Sequence, residues 1–454
     1  MLAAFAQTGI DLLFHEDRAL YDLLDQEYQR QQESLVMVAS SSIADPSVLV
    51  CEGMVTGNTT TEGYPGARFH AGCAWVDAIE RLAIERAQAA FGARYANVQP
   101  HSGSSANQIL LFALLKSGDT ILGLDLSAGG HLTHGARASV SGQHFHAVGY
   151  GLDRDGLIDY DQVRQLALRH RPRLIICGAS AYPRAIDFAR FRAIADEVGA
   201  FLLADISHIA GLVAAGVHPS PIDHAHFTTT STYKQLYGPR GGLILMGRDA
   251  DTPAPGGRGT LADLIQRAVF PFFQGTPNLS AIAAKARALA LVNTPEFRAL
   301  ARQIVANAQA LARHLAQRDY HVLTGGSDNH IVLIDTLARG TTGLIAERAL
   351  ESCQIIVNRN KIPGDTKPAL VTSGMRLGTN SLARRGMEPA DMALCAELID
   401  RVLSTAVPLG DSEYELSPDV RRSTLDQVRQ LCHRFPIPRY PPTHRADETR
   451  NQHE

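Results

Sequence analysis

The sequence predicts an α/β protein: a mostly parallel sheet in a large domain, followed by a smaller α+β domain. Two observations carry that expectation. From about residue 75 to 250, short apolar runs alternate with helix-patterned ones, as in a sheet covered by helices on both faces. Several of the apolar runs end in Asp, Ser, Thr or Gly, at the carboxyl edge where such sheets bind ligands.

Taken in order, the N-terminal stretch MLAAFAQTGIDLLFHED is mildly apolar, lacks a basic leader and reaches acids at Asp11 and Glu16. It is expected to be an oligomer-docking arm rather than a signal peptide. Trp75, Val76, Ile79, Leu82, Ala83 and Phe91 recur at helical spacing through AWVDAIERLAIERAQAAF. TILGLDL (120–126), RLIICGAS (173–180), FLLADIS (201–207), HFTTTST (226–232) and GGLILMG (241–247) read as buried strands. A helix-like stretch at 299–318 then precedes HIVLIDTL (330–337), IIVNRN (355–360) and MRLGTN (375–380). The expected division is 1–50 arm and helices, 51–298 large domain, 299–435 small domain and 436–454 a Pro-rich polar tail, extended or disordered.

The 454 residues are 45% hydrophobic and 20% charged with a net charge of −3, which gives no electrostatic reason to expect nucleic acid or an acidic membrane. No apolar run approaches the ~18 residues of a membrane span. Six scattered cysteines form no Cys-x-x-Cys pair, and no His cluster stands at ligand spacing. No disulfide or metal framework is expected, and a reducing, cytoplasmic compartment is the default.

Four segments carry chemistry. In TTTSTYKQLYGPRGG (228–242), Lys234 follows a core strand. Desolvation and neighbouring cations lower a lysine's pKa and free its amine to attack an aldehyde. The hydroxyls around Ser231 and the turn at Arg240 suit an anion; the alternative is a lysine emerging at a sheet edge. Asp205 ends the strand of FLLADISHIAGL, with His208 three residues on. A carboxylate there suits a pyridinium nitrogen, though an Asp ending a strand also caps helices. In HSGSSANQ (101–108), Ser102, Gly103 and Ser104 stand at a helix N-terminus, a natural phosphate site. In LDLSAGGHLTHG (124–135), His131 follows two glycines and can stack on an aromatic ring, or simply bond backbone.

Together these segments resemble serine hydroxymethyltransferases, a fold-type I pyridoxal-phosphate family. The likeness runs from about Leu35 to Leu403, through TEGYPGARF (61–69), VQPHSGSSAN (98–107), GLIDYDQV (156–163), ADISHIAGLVAAGVHPSP (204–221), YKQLYGPRGG (233–242), TGGSDNHIVLID (324–335) and TSGMRLGTNSLARRGM (372–387). The resemblance implies that Lys234 binds the cofactor aldehyde, Asp205 pairs the ring nitrogen and His131 stacks on its face. Gly103, Ser104, Ser231, Arg240 and Gly275 fall among its cofactor contacts, and Ser180 and His208 flank the phenolic oxygen. Arg376 and Ser40 match groups that grip the substrate carboxylate. Glu62 matches the catalytic glutamate, on a segment that in the family crosses from the neighbouring subunit, so a homodimer, or a tetramer built from it, is implied. Leu126, Gly130, Leu132 and Asn360 match the tetrahydrofolate site.

The chain also departs from that pattern. A tyrosine beside phosphate and substrate is Thr60, and a Tyr-Tyr pair, whose second member lies by the reacting carbon, is Phe69-His70. A histidine before the lysine is Tyr233, an arginine is Tyr237, and Ser-Glu-Asn is Ser40-Ser41-Ser42. Threonine in place of a phenol frees volume that a substituent on Cα could use. The leading expectation is therefore a 2-methylserine hydroxymethyltransferase giving D-alanine and 5,10-methylenetetrahydrofolate, with Thr60 and His70 deciding the substrate. The alternatives are an ordinary serine/glycine enzyme and a threonine-type aldolase or transaldolase. A non-catalytic relative is the other class, disfavoured by the joint presence of Lys234, Asp205, Glu62 and Arg376.

Overall fold

A computed structural model describes residues 1–442. Its centre is a seven-stranded sheet of β1 (Tyr95–Asn97), β2 (Thr120–Leu124), β3 (His146–Tyr150), β4 (Leu174–Cys177), β5 (Phe201–Asp205), β6 (Phe227–Ser231) and β7 (Gly242–Met246). The spatial order is β1-β7-β6-β5-β4-β2-β3. β7 runs antiparallel to both β6 and β1, and every other pairing is parallel. The chain is thus an α/β protein with a mainly parallel sheet, as the alternating runs predict. β5 lies between β4 and β6, with Leu202, Leu203 and Ala204 sealed from solvent. Burying each leucine contributes about 1.5–3 kcal/mol, and the register sets Asp205 opposite Thr229 at the ligand edge.

Sequence patterning missed two strands, β1 and β3. It also misjudged one helix face. In α3 (Ala74–Phe91) the buried side holds Val76, Asp77, Glu80, Ala83 and Ala87, whereas Trp75 is 84% exposed and Leu82 faces out. Two acids turn inward because the buried Arg68 pairs with both, at 2.8 Å to Asp77 and 2.5 Å to Glu80. Hydrophobicity alone cannot anticipate that inversion.

A second, four-stranded sheet holds β8 (His321–Val322), β9 (Ile331–Asp335), β10 (Asn358–Asn360) and β11 (Gly374–Gly378), in the order β8-β9-β11-β10. IIVNRN is not one strand: Ile355–Ile356 leaves that sheet to pair with Leu35–Val36. Leu35 and Met37 therefore share a core with Val332, Ile334, Ile355 and Leu377, tying the N-terminal region to the small sheet.

The N-terminal stretch forms α1 (Leu2–Glu16) and α2 (Arg18–Glu33), neither with a fully buried residue. The expected extended tail needs correction over 436–442. Ile437 is buried, Tyr440 stacks on Tyr28 and donates to the Ala44 carbonyl, and Arg439 pairs with Asp45. Residues 443–454 of that expected tail lie outside the described residues. No helix among the described residues is long and apolar enough to cross a membrane.

Candidate functional site

Asp205 organises the floor of the site. Its Oδ2 accepts from Asn107 Nδ2 at 2.7 Å and lies 3.0 Å from His134 Nε2, while Oδ1 accepts from the Ser207 amide at 3.0 Å. Burial alone would raise its pKa. The hydrogen bond and charge of His134, with His131 and Ser207, overcome that and hold the carboxyl far below the usual range. Asn107 is itself fixed by Thr133 and Thr229. Asp205 is therefore a buried anion with a predetermined direction, able to pair with a protonated ring nitrogen.

Lys234 follows β6 and is buried. Desolvation, opposed by Asp205 and aided by Arg376 and Arg240, lowers its pKa to about 8. That makes the amine available as a nucleophile near neutral pH. Arg240 is exposed, its guanidinium 3.8 Å from the Tyr233 ring centroid. The Ser42 hydroxyl donates to the Tyr233 carbonyl, so the Ser40–Ser42 turn is fastened beside the lysine.

The remaining walls are neutral or cationic. His131 Nδ1 lies 2.8 Å from Thr133 Oγ1, and burial lowers its pKa to about 4. His208 is buried, with its pKa held well below normal by desolvation and by Lys234 and Arg376; its Nδ1 has no partner among the described residues. Its ring lies parallel to His330 at 6.0 Å. His330 in turn bonds the Ala39 carbonyl next to Ser40. Arg376 on β11 is buried, donates to Asn358 Oδ1 at 3.1 Å and to the Ser180 carbonyl, and desolvation lowers its pKa to about 10.

At the anion end, Ser102 caps α4 (Gly103–Leu114) by accepting from the Ser105 amide at 3.0 Å. Gly103 and Ser104 occupy the first turn, where unpaired N–H groups point outward. A Cβ on Gly103 would meet Ser231 N at 3.1 Å and Ser207 Oγ at 3.2 Å. The close approach of that turn to β6 requires the missing side chain. These features fit pyridoxal phosphate: a nucleophilic lysine, a buried carboxylate, an anion cradle, and an unpartnered His208 nitrogen for an oxygen of the ring.

The loop from Leu126 to Leu132 leaves both leucines half exposed beside Gly130. It bounds a cleft of about 410 Å³ also lined by Asp125, His131 and Arg137. Ser180 is drawn to this loop because its N–H donates to the Gly129 carbonyl at 2.8 Å. Asn360 Nδ2 donates to the Lys361 carbonyl at 2.5 Å.

Glu62, Thr60, His70 and Gly275 form a separate group. His70 Nε2 lies 3.4 Å from Glu62 Oε2, and a Cβ on Gly275 would stand 3.6 Å from Glu62 Oε1. Thr60 and His70 are exposed, and Phe69 between them is 74% exposed. Among the described residues, no hydrogen bond or ion pair joins this group to Lys234 or Asp205.

Asn107, His134 and Thr229 were not singled out from sequence. Each lies inside a run already marked, but spacing cannot tell which of two histidines reaches the carboxylate. His131, His134 and Asp205 present ligand atoms within 4.8 Å of one another, the spacing of a metal site. Hydrogen bonds among the side chains already engage these atoms.

The family model for serine hydroxymethyltransferase matches residues 13–399. Two curated relatives, both "Serine hydroxymethyltransferase" and both from Prochlorococcus marinus, are each 51% identical over 427 residues. The one from strain MIT 9313 is covered over 95% of its length, that from MIT 9303 over 96%, and each alignment takes in 94% of this chain. The chain belongs to the serine hydroxymethyltransferase family.

Proposed function

We propose that this chain is a pyridoxal-phosphate enzyme that transfers the hydroxymethyl carbon of L-serine to tetrahydrofolate, releasing glycine and 5,10-methylenetetrahydrofolate. The observation that carries the reading is the wall shared by Lys234, Asp205, His131, His208 and Arg376. Each of these has its protonation set by burial or by a named neighbour. The relatives' names favour serine over the 2-methylserine expected from the departures at Thr60 and His70.

When bound, the cofactor supplies an aldehyde for the substrate amine and a ring that takes up electrons from a broken Cα bond. Lys234 would hold that aldehyde through its buried amine. Asp205 would keep a proton on the ring nitrogen, and His131, neutral at pH 7, would lie against the ring. Gly103, Ser104, Ser231 and Arg240 would receive the phosphate, and Gly275, which stands beside Glu62, would meet that of the partner subunit; Ser180 and His208 would attend the phenolic oxygen. Arg376, with Ser40, would hold the substrate carboxylate and so orient the amino acid. Leu126, Gly130, Leu132 and Asn360 receive the pteridine. Glu62 moves the proton of the departing hydroxymethyl group.

The proposed enzyme is a homodimer; what supports this is that no hydrogen bond or ion pair among the described residues joins Glu62, Thr60 or His70 to the Lys234 wall, and that Phe69 and Trp75 beside them are exposed. Glu62 then serves the partner's lysine. The division of the chain into arm, large and small domains rests on the two sheets and their separate cores. A reducing compartment rests on six cysteines, none paired.

The test measures methylenetetrahydrofolate formed from tetrahydrofolate with L-serine or with 2-methylserine. Serine turnover well above that of 2-methylserine is expected, and the reverse order overturns the assignment. The exposed, small Thr60 favours the second reading, an α-methyl substrate. On that reading Thr60→Tyr suppresses 2-methylserine cleavage more than serine cleavage. Equal turnover without folate points to an aldolase and overturns both.

A further inference from the structure

Lys285 lies in α5 (Leu279–Val292), a mostly apolar helix, and is 2% exposed. Its Nζ donates to three main-chain carbonyls: Val98 at 2.7 Å, Gly242 at 3.0 Å and Pro100 at 3.1 Å. An ammonium has three N–H donors, and all three are spent on backbone. Among the described residues it makes no ion pair. Glu80, the carboxylate that acts on it, gives its oxygens to Gln99 and Arg68. The other titratable neighbour is His101, whose pKa Lys285 helps to lower. Burying a cation without a counter-ion is costly, and an apolar side chain of similar length would avoid the cost.

The three carbonyls belong to the segment that follows β1 and to the start of β7, which together deliver the anion end of the site. Val98 and Pro100 lead from β1 into Ser102 and Gly103, and Gly242 begins β7. The Gly242 amide donates back to the Pro100 carbonyl at 2.9 Å, and its Cα abuts Ser102, since a Cβ there would come 2.3 Å from the Ser102 carbonyl. A planar peptide points its C=O and N–H in opposite directions. Turning the Pro100 carbonyl toward Lys285 therefore turns the His101 amide away, toward Gln274 Oε1 at 3.2 Å. Gly241 makes room for the arrangement, because a Cβ there would lie 2.3 Å from Lys285 Cε.

We propose that Lys285 is a tethered monovalent cation: a positioning residue that orients the peptides from Val98 to Gly103 so that the α4 N-terminus is preformed for phosphate. The inference rests on the cofactor reading above, in which that turn holds the phosphate. Lys285 touches neither substrate nor cofactor, and it acts through backbone dipoles.

The experiment is a titration of apoenzyme with pyridoxal phosphate in choline chloride, following the absorbance of the bound cofactor, for wild type and Lys285→Ala. The dissociation constant of Lys285→Ala is expected to rise about tenfold or more. Ammonium or potassium chloride should then restore it toward wild type, while leaving the wild-type value unchanged. Wild-type affinity in Lys285→Ala overturns the proposal, and so does a loss that neither cation relieves. Should Lys285→Ala fail to fold, Lys285→Met is titrated. Weaker binding with an unchanged apoenzyme melting temperature supports the proposal, and unchanged binding overturns it. Failure of wild type to bind the cofactor would instead overturn the reading of Lys234, so the two failures are distinct.

Discussion

The free amine of Lys234 is the most direct place to test the electrostatics of the site. Its pKa of about 8 compares with an ordinary lysine value of about 10.4. At pH 7 roughly one-tenth of the apoenzyme then carries the neutral amine, against about 0.04% for an exposed lysine, a gain of roughly 200-fold in nucleophile. The assay mixes apoenzyme with pyridoxal phosphate from pH 6 to 10 and follows the rate at which the bound cofactor's absorbance develops. That rate should climb about tenfold per pH unit and level off near pH 8. Burial is the main cause of the shift, so the profile should survive added salt. Asp205 opposes the shift and Arg240 assists it. Asp205→Asn should therefore move the midpoint down, and Arg240→Ala should move it up. A rate still rising in proportion at pH 10, or both variants moving the midpoint the same way, would refute the reasoning.

Three further outcomes follow from the geometry. Arg376→Lys replaces a planar fork by a point charge; losing a charged hydrogen bond costs about 1.5–3 kcal/mol. KM for the amino acid should rise roughly ten- to hundredfold in steady-state assays, and an unchanged KM would remove Arg376 from the carboxylate site. Asp205→Asn keeps the shape of the network but removes the charge facing His134. The expected loss is about ten- to hundredfold in kcat, and wild-type turnover would show that no charge is needed there. Arg68→Met leaves Asp77 and Glu80 buried without their cation. Stability in urea should fall by about 3–5 kcal/mol, and an unmoved denaturation midpoint would mean the two acids find other partners.

The parallel sheet was legible because its strands are sealed on both faces, so unbroken apolar runs such as LIIC and FLLAD announce themselves. The strand ends were legible for the converse reason: Asp205 and Ser231 are polar residues that end runs with no solvent to satisfy them. What sequence did not show depends on pairing across the fold. Asp77 and Glu80 face inward on α3 only because Arg68 arrives from another segment to meet them. Lys285 sits on a buried helix face because carbonyls from the segment after β1 and from β7 converge there. IIVNRN splits between two sheets because Leu35–Val36 competes for its first half. No local pattern encodes any of these three.

The same distinction separates the two halves of the site. The proposed cofactor wall is internal to one chain: Asp205, His208, Lys234 and Arg376 are buried, and Asp205 is held by near neighbours. Thr60 and His70 stand on an exposed edge that, under the proposed dimer, only a second copy completes. A substitution there changes what meets the reacting carbon without disturbing Asp205 or its hydrogen bonds. It follows that Thr60→Tyr should alter the preference among amino acids and leave the affinity for pyridoxal phosphate unchanged. An altered cofactor affinity in that variant would mean that the two halves are not independent, and that specificity cannot be read from the exposed edge alone.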